Sequence, residues 1–181
     1  MSFATILTIA IPVLMAFVAY INSVRLEQRK KRLERINRQL DEFYGPLLAI
    51  VQSSQQAWEN FKGKYDGNPN FYKKEHNPTP KQLAEFHTWM SAVFKPNNDK
   101  LYKLITNNTS LLIEDRMPQV LLDLMAHITE FRINFEARKD EASEVAESKS
   151  KYKGQPLLAY CQDSFRALKA EQIRLIKGRM K

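Results

Sequence analysis

The chain has 181 residues, a net charge of +8 and a single cysteine, Cys161. That length suits one compact domain with an appendage, and one cysteine excludes both an internal disulfide framework and a cysteine-rich zinc module. The sequence contains only five glycines and no Gly-rich phosphate loop, which excludes the common nucleotide-binding motifs. Length, composition and charge therefore exclude several classes of enzyme and indicate no activity.

Residues 1–24 contain no charged residue, and 18 of these 24 positions are apolar. As an α-helix the segment is roughly 34 Å long, enough to cross the hydrocarbon core of a bilayer of about 30 Å. A cleaved signal peptide needs a basic stretch before the apolar run and a small-residue cleavage pattern, and both are missing. A buried core helix is the other alternative, but such a helix rarely runs this long without a charge. The segment predicts a transmembrane helix, kinked at Pro12.

Residues 25–38 follow directly and carry seven cations against two anions, a net charge of +5. Lys and Arg beside a span stay on the cytoplasmic side, so we expect a single-pass protein of the bacterial inner membrane with its N-terminus outside and its C-terminal domain in the cytoplasm. Residues 166–181 carry a second net +5, which leaves residues 39–165 at −2. A nucleic-acid-binding domain spreads positive charge over its folded surface, so this distribution argues against nucleic acid as a partner.

The two basic ends predict contact with anionic lipid headgroups, because a negatively charged membrane surface attracts nearby cations. If the last helix runs antiparallel to the helix after the stalk, its C-terminal end returns towards the bilayer. Two simpler interpretations stay open: the first cluster only orients the span, and the second only complements a helix dipole. The predicted lipid-contacting residues are Arg25, Arg29, Lys30, Lys31, Arg32, Arg35, Arg38, Arg174, Lys177, Arg179 and Lys181.

After residue 24 the sequence shows helical periodicity interrupted by turn residues. We predict an all-α protein with a transmembrane helix over 1–24, a basic juxtamembrane stalk over 25–39 and a cytoplasmic bundle of about five helices over 40–181. Thr79-Pro80-Lys81-Gln82 fits a capping box that opens one of these helices, which we expect to end before Pro96. The apolar stripe of the last helix places Cys161 in the core as a buried thiol.

A heptad of leucines runs from the stalk into the domain: Leu26, Leu33, Leu40 and Leu47. With Asn37 as a polar register-setting position, this pattern is typical of a short parallel coiled coil, so a homodimer through the stalk is one interpretation. Gly45-Pro46 interrupts the pattern, and the stripe is equally consistent with the inner face of one bundle helix.

The best constellation of titratable side chains is Asp123, His127 and Glu130, whose spacing places them on one face of a helix. Metal binding or proton transfer needs such a convergence. Their mean direction lies roughly 130° from the apolar stripe of the same helix, so we expect them to face water. We therefore predict no enzyme activity, metal or cofactor. A membrane-proximal enzyme with its site at these residues is the competing hypothesis, and a membrane-tethered nucleic-acid binder is a weaker third.

The leading hypothesis is an interaction or scaffold module that acts through protein–protein contacts at the inner face of the membrane. Exposed aromatic side chains such as Tyr65, Phe71 and Tyr72 would hold a protein partner, or would fold back onto the bundle.

Short motifs along the chain resemble a family of uncharacterised bacterial single-pass membrane proteins in which an N-terminal span precedes a helical domain. The resemblance covers about residues 40–135 and implies fold and placement alone, because the family has no established activity. The motif residues are Phe43-Tyr44-Gly45-Pro46-Leu47, Trp89, Pro96-Asn97, Leu112-Ile113, Pro118 and His127.

Overall fold

The computed structural model describes residues 3–68, 76–137 and 154–178, with the backbone alone at residues 3–10 and 137. The regular structure of these residues is entirely helical, which confirms the predicted all-α class for the described part of the chain. The α-helices are α1 (Phe3–Arg38), α2 (Gly45–Gly63), α3 (Pro80–Trp89), α4 (Lys95–Asn107), α5 (Gln119–Ala137) and α6 (Gly154–Lys177).

Pro46 and Pro96 lie inside continuous helical rods, each separated by one residue from the π-helical turn before it. The turn Gln39–Tyr44 joins α1 to α2, and the turn Met90–Phe94 joins α3 to α4. A proline lacks an amide hydrogen, and its ring crowds the carbonyl four residues earlier. The wider π-turn accommodates this, because the amide before each proline bonds five residues back, from Gly45 to Leu40 and from Lys95 to Met90.

The prediction that a helix ends before Pro96 is therefore wrong, since that helix continues into α4. The capping box at its start is confirmed. Thr79 Oγ1 accepts a hydrogen bond from Gln82 N at 3.3 Å, and Gln82 Oε1 accepts one from Thr79 N at 2.7 Å. Instead of about five helices, the described residues form four rods: α1 with α2, α3 with α4, α5, and α6.

Four helices close the bundle, because α2 and α5 each contact both α4 and α6. The main core lies between these helices and draws on the end of α1 and the first π-turn. A second, aromatic cluster lies farther along α2, around Phe61, Phe86 and Met90. The fully buried side chains of the main core are Phe43, Tyr44, Leu47, Ile105, Leu121, Leu124, Ile128, Leu157 and Cys161.

The packed domain begins within the segment predicted as a separate stalk. Ile36 and Gln39 are buried, and Gln39 Nε2 donates a hydrogen bond to Leu111 O at 3.0 Å. Leu40 and Leu47 of the leucine heptad are buried as well. From Ile36 onward the heptad thus serves as the inner face of a bundle helix, the second of the two interpretations given above.

Candidate membrane-proximal surface

The basic stretch of α1 lies against the C-terminal end of α6, and Arg29 joins the two. Its Nη1 donates a hydrogen bond to Gly178 O at 2.7 Å, and its Nη2 donates one to Leu175 O. The last carbonyls of an α-helix have no partner inside the helix, and a cation near them also suits the helix dipole. Arg29, predicted to contact lipid, therefore uses two of its donors to cap α6.

Two further contacts set the direction of α6 relative to α1. Arg32 forms an ion pair with Glu171, and Gln172 Nε2 donates a hydrogen bond to Asn37 Oδ1 at 2.7 Å. Arg29 thus contacts residues 175 and 178, whereas the later Arg32 and Asn37 contact the earlier residues 171 and 172, so the two helices are antiparallel. The C-terminal end of α6 points towards the apolar N-terminal segment.

The other cations of this surface divide into two groups. Lys31, Arg38 and Arg174 each lie near a carboxylate of their own rod, at 3.8, 3.0 and 3.5 Å respectively. Surface pairs of this kind contribute at most about 1 kcal/mol, so these cations stay available to other anions. Among the described residues, no ion pair forms at Arg25, Lys30, Arg35 and Lys177, which are all exposed. Arg179 and Lys181 lie outside the described residues.

The apolar segment projects from the domain without any cover. Every residue from 11 to 20 is exposed, including Leu14 at 62%, Met15 at 68% and Phe17 at 59%. Within the described part of the chain, no helix is long and apolar enough to count as a membrane span. The side chains of residues 1–10, which belong to the predicted span, lie outside that part.

A polar cluster inside the bundle was not predicted. Tyr44, with no exposed surface, accepts a hydrogen bond from Ile113 N at 3.0 Å and donates one to Glu114 Oε2 at 3.2 Å. Its hydroxyl lies 3.3 Å from that of Tyr160. Burial raises the pKa of Tyr44 to about 12, and burial also raises the pKa of Tyr160. The cluster fastens the segment after α4 to the first π-turn.

A sequence signal for this cluster existed in the leucine heptad. Tyr44 lies four residues after Leu40 and three before Leu47, so it shares their face of the helix. A buried tyrosine hydroxyl usually finds a hydrogen-bond partner. The identity of that partner could not be read from the sequence, because Ile113 is 69 residues away.

Asp123, His127 and Glu130 are half-buried on α5, so the expectation that they face water is correct only in part. The reason is that α5 packs against both α4 and α6, which covers more of its circumference than the apolar stripe alone. Burial lowers the pKa of His127, while the charge of Glu130 opposes that shift. The described residues contain no group of three His, Cys, Asp or Glu side chains arranged to hold a metal ion.

Two other sequence expectations concern single side chains. Cys161 has no exposed surface, which confirms the predicted buried thiol, and burial raises its pKa to about 12. Tyr65 folds back onto the bundle, because its ring lies 5.6 Å from that of Phe61 and its hydroxyl donates to Glu85 Oε2 at 2.7 Å. Phe71 and Tyr72 lie outside the described residues.

Several of the motif residues that resemble those of a known family are packed inside the bundle or join its helices. Phe43, Tyr44 and Leu47 are fully buried, and Trp89 lies in the aromatic cluster beside Phe61. Asn97 Nδ2 donates a hydrogen bond to Ser54 Oγ at 3.0 Å, which ties α4 to α2. Comparison with known proteins finds no matching family model, no matching curated protein and no matching solved structure.

Proposed function

We propose that this protein is a single-pass protein of the bacterial inner membrane, in which residues 1–24 span the bilayer and the helical domain acts as an interaction scaffold in the cytoplasm. The observation that carries the proposal is the uncovered apolar surface of residues 11–20. Apolar area costs about 25 cal/mol per Å² in water, and large exposed apolar patches mark interaction surfaces.

The surroundings of this segment support a bilayer rather than the protein core as its environment. A core helix is covered on at least one face, whereas every residue from 11 to 20 is exposed. The apolar side chains also point in every direction around the helix, as lipid on all sides requires. Arg25 and the cations after it favour a cytoplasmic domain.

The scaffold role is supported by the shape of the chain. From Arg25 the rod of α1 and α2 reaches Gly63 after roughly 55 Å, which would carry the end of the bundle well away from the membrane surface. An open, shallow depression on its side is lined by Leu48, Gln162, Phe165, Arg166 and Lys169. Its apolar side chains, Leu48 and Phe165, offer a contact surface to a protein partner.

An arginine placed in the apolar segment tests the anchor. A charged residue at the centre of a membrane helix disfavours insertion by about 2.5–3.5 kcal/mol, so Leu14→Arg should move the protein from the membrane pellet to the alkaline-wash supernatant. Ile133→Arg is the matched control, because Ile133 is 65% exposed on α5. A wild-type chain that leaves the membrane in an alkaline wash, or an active C-terminal alkaline phosphatase fusion, would refute the anchor or its orientation.

A further inference from the structure

We propose that the C-terminal end of α6 is a second membrane contact, at which Ile176 and Lys177 meet the anionic headgroups of the bilayer that holds residues 1–24. This inference rests on the proposed function, because the anchor decides where the bilayer lies. The proposed ligand of the helical domain itself is a negatively charged lipid surface.

The hydrogen bonds of Arg29 set the height of this end above the bilayer. They bring Gly178 O level with Arg29, which lies five residues after Val24. Five residues of α-helix rise about 7.5 Å. The headgroup layer extends about 5–8 Å beyond the hydrocarbon core on each side. Gly178 O therefore lies at the outer edge of the headgroup layer, and Lys177 and Ile176 follow within about 3 Å of helix rise.

The antiparallel contacts keep the end of α6 at that height. They recur at Arg29, Arg32 and Asn37, more than two turns of α1. Arg29 hydrogen-bonds both Gly178 O and Leu175 O, so the two helices are in direct contact there. Since α1 is one continuous helix, α6 keeps a fixed register relative to the apolar segment, so its end meets or leaves the headgroups only when the whole rod tilts.

The charges at this end suit anionic lipid. Glu171 is the only acidic residue of residues 166–178, and its carboxylate is shared by Arg32 and Arg174. Lys177 has no ion pair with any described residue and is exposed. In sequence, Arg179 and Lys181 follow it. The negative charge of Glu171 is thus already matched inside the protein, and the remaining positive charge faces the bilayer.

The apolar side chains at the same end distinguish a bilayer from a free anion. Ile173 is 49% exposed and Ile176 is 46% exposed on the last two turns of α6. They alternate with Arg174 and Lys177, a combination of bulky apolar and basic residues that is typical of helices at a membrane interface. Single exposed isoleucines are ordinary, but Ile176 lies only two residues before Gly178, close to the height where the headgroup layer begins.

A fluorescent label at position 176 tests the contact in the full-length protein. Ile176→Cys is labelled with a bimane maleimide, a reaction from which the buried thiol of Cys161 is protected. The protein is reconstituted into vesicles that contain a headgroup-nitroxide lipid, made either of phosphatidylcholine or of two parts phosphatidylcholine to one part phosphatidylglycerol. We expect quenching at position 176 in the anionic vesicles alone, and none for the same label on Ile133→Cys.

A pair of double variants with equal change in net charge separates position from total charge. Each cation at the surface favours contact about fivefold, so Arg174→Gln with Lys177→Gln should lower the ratio of docked to undocked ends about 25-fold. Arg166→Gln with Lys169→Gln is the control. Along α6 these residues lie about 12 Å farther from the bilayer than Arg174 and Lys177, which is more than a Debye length of about 8–10 Å. The control pair should keep the quenching.

Three results would overturn the inference: no quenching at position 176, equal quenching in neutral and anionic vesicles, or equal loss in both double variants. Circular dichroism of each variant shows whether the helical domain is intact. If an alkaline wash leaves the protein in the vesicles and position 176 is not quenched, this inference alone fails. If the wash extracts the protein, the proposed anchor fails with it.

Discussion

Removing one hydroxyl group, by Tyr44→Phe, should destabilise the bundle, because that hydroxyl is the centre of a partly buried polar cluster. It accepts the amide hydrogen of Ile113 at 3.0 Å and bonds the Glu114 carboxylate at 3.2 Å. A lost hydrogen bond costs about 0.5–1.5 kcal/mol, and a partly buried amide without a partner costs about 1–3 kcal/mol. We expect the free energy of unfolding to fall by about 2 kcal/mol, the middle of these ranges.

Thermal unfolding of the full-length protein in mild detergent, followed by circular dichroism, measures the effect. For a chain of this length each kcal/mol corresponds to about 2–4 °C, so the Tm should fall by about 4–8 °C. Hydrogen exchange provides a local readout, because the amide of Ile113 loses its acceptor in Tyr44→Phe and should exchange faster.

The matched control is Tyr160→Phe, which removes a hydroxyl from the same cluster. The Tyr44 hydroxyl then keeps both Ile113 N and Glu114 as partners, so the loss should stay below about 1 kcal/mol. Equal Tm values for the two variants, or unchanged exchange at Ile113 in Tyr44→Phe, would refute the assigned role of Tyr44.

Two further variants test the first π-turn and the half-buried histidine. A Cβ at Gly45 would lie 2.5 Å from Leu40 O, so Gly45→Ala should cost about 1–3 kcal/mol, whereas Gly63→Ala has open space around it and should be neutral or stabilising in the same unfolding assay. Burial lowers the pKa of His127 in the folded state, so the unfolded chain binds more protons and stability falls as the pH drops through about 6.5. His127→Gln should flatten this dependence over that range and His87→Gln should keep it; an unchanged slope in His127→Gln would contradict the burial effect.

Local patterns in the sequence were sufficient to predict where one helix begins and which face of another is buried. The capping box at Thr79 and the inward stripe through Cys161 depend on residues three or four positions apart, and both are found in the structure. The same local rules were insufficient at Pro96, because they describe a proline within an α-helix, and a preceding π-turn removes the conflict.

The predicted burial of side chains was correct along the central line of an apolar stripe and only partly correct beside that line. Leu121, Leu124 and Ile128 lie on the central line of the stripe of α5 and are fully buried. His127 lies off that line, and its half-buried position depends on how α4 and α6 flank the helix. A periodicity gives the direction of the core but not the width of the surface that neighbouring helices cover.

By itself, the sequence determined the helical class, the charge-free first segment and the two basic ends of the chain, because composition and periodicity are properties of neighbouring residues. Only the tertiary structure decided that the basic ends lie together. Arg29 and Gly178 are 149 residues apart, and their hydrogen bond joins a side chain to a helix end that no local pattern links. That contact exists because the last carbonyls of α6 need donors, and the antiparallel packing of α6 on α1 brings a guanidinium to them.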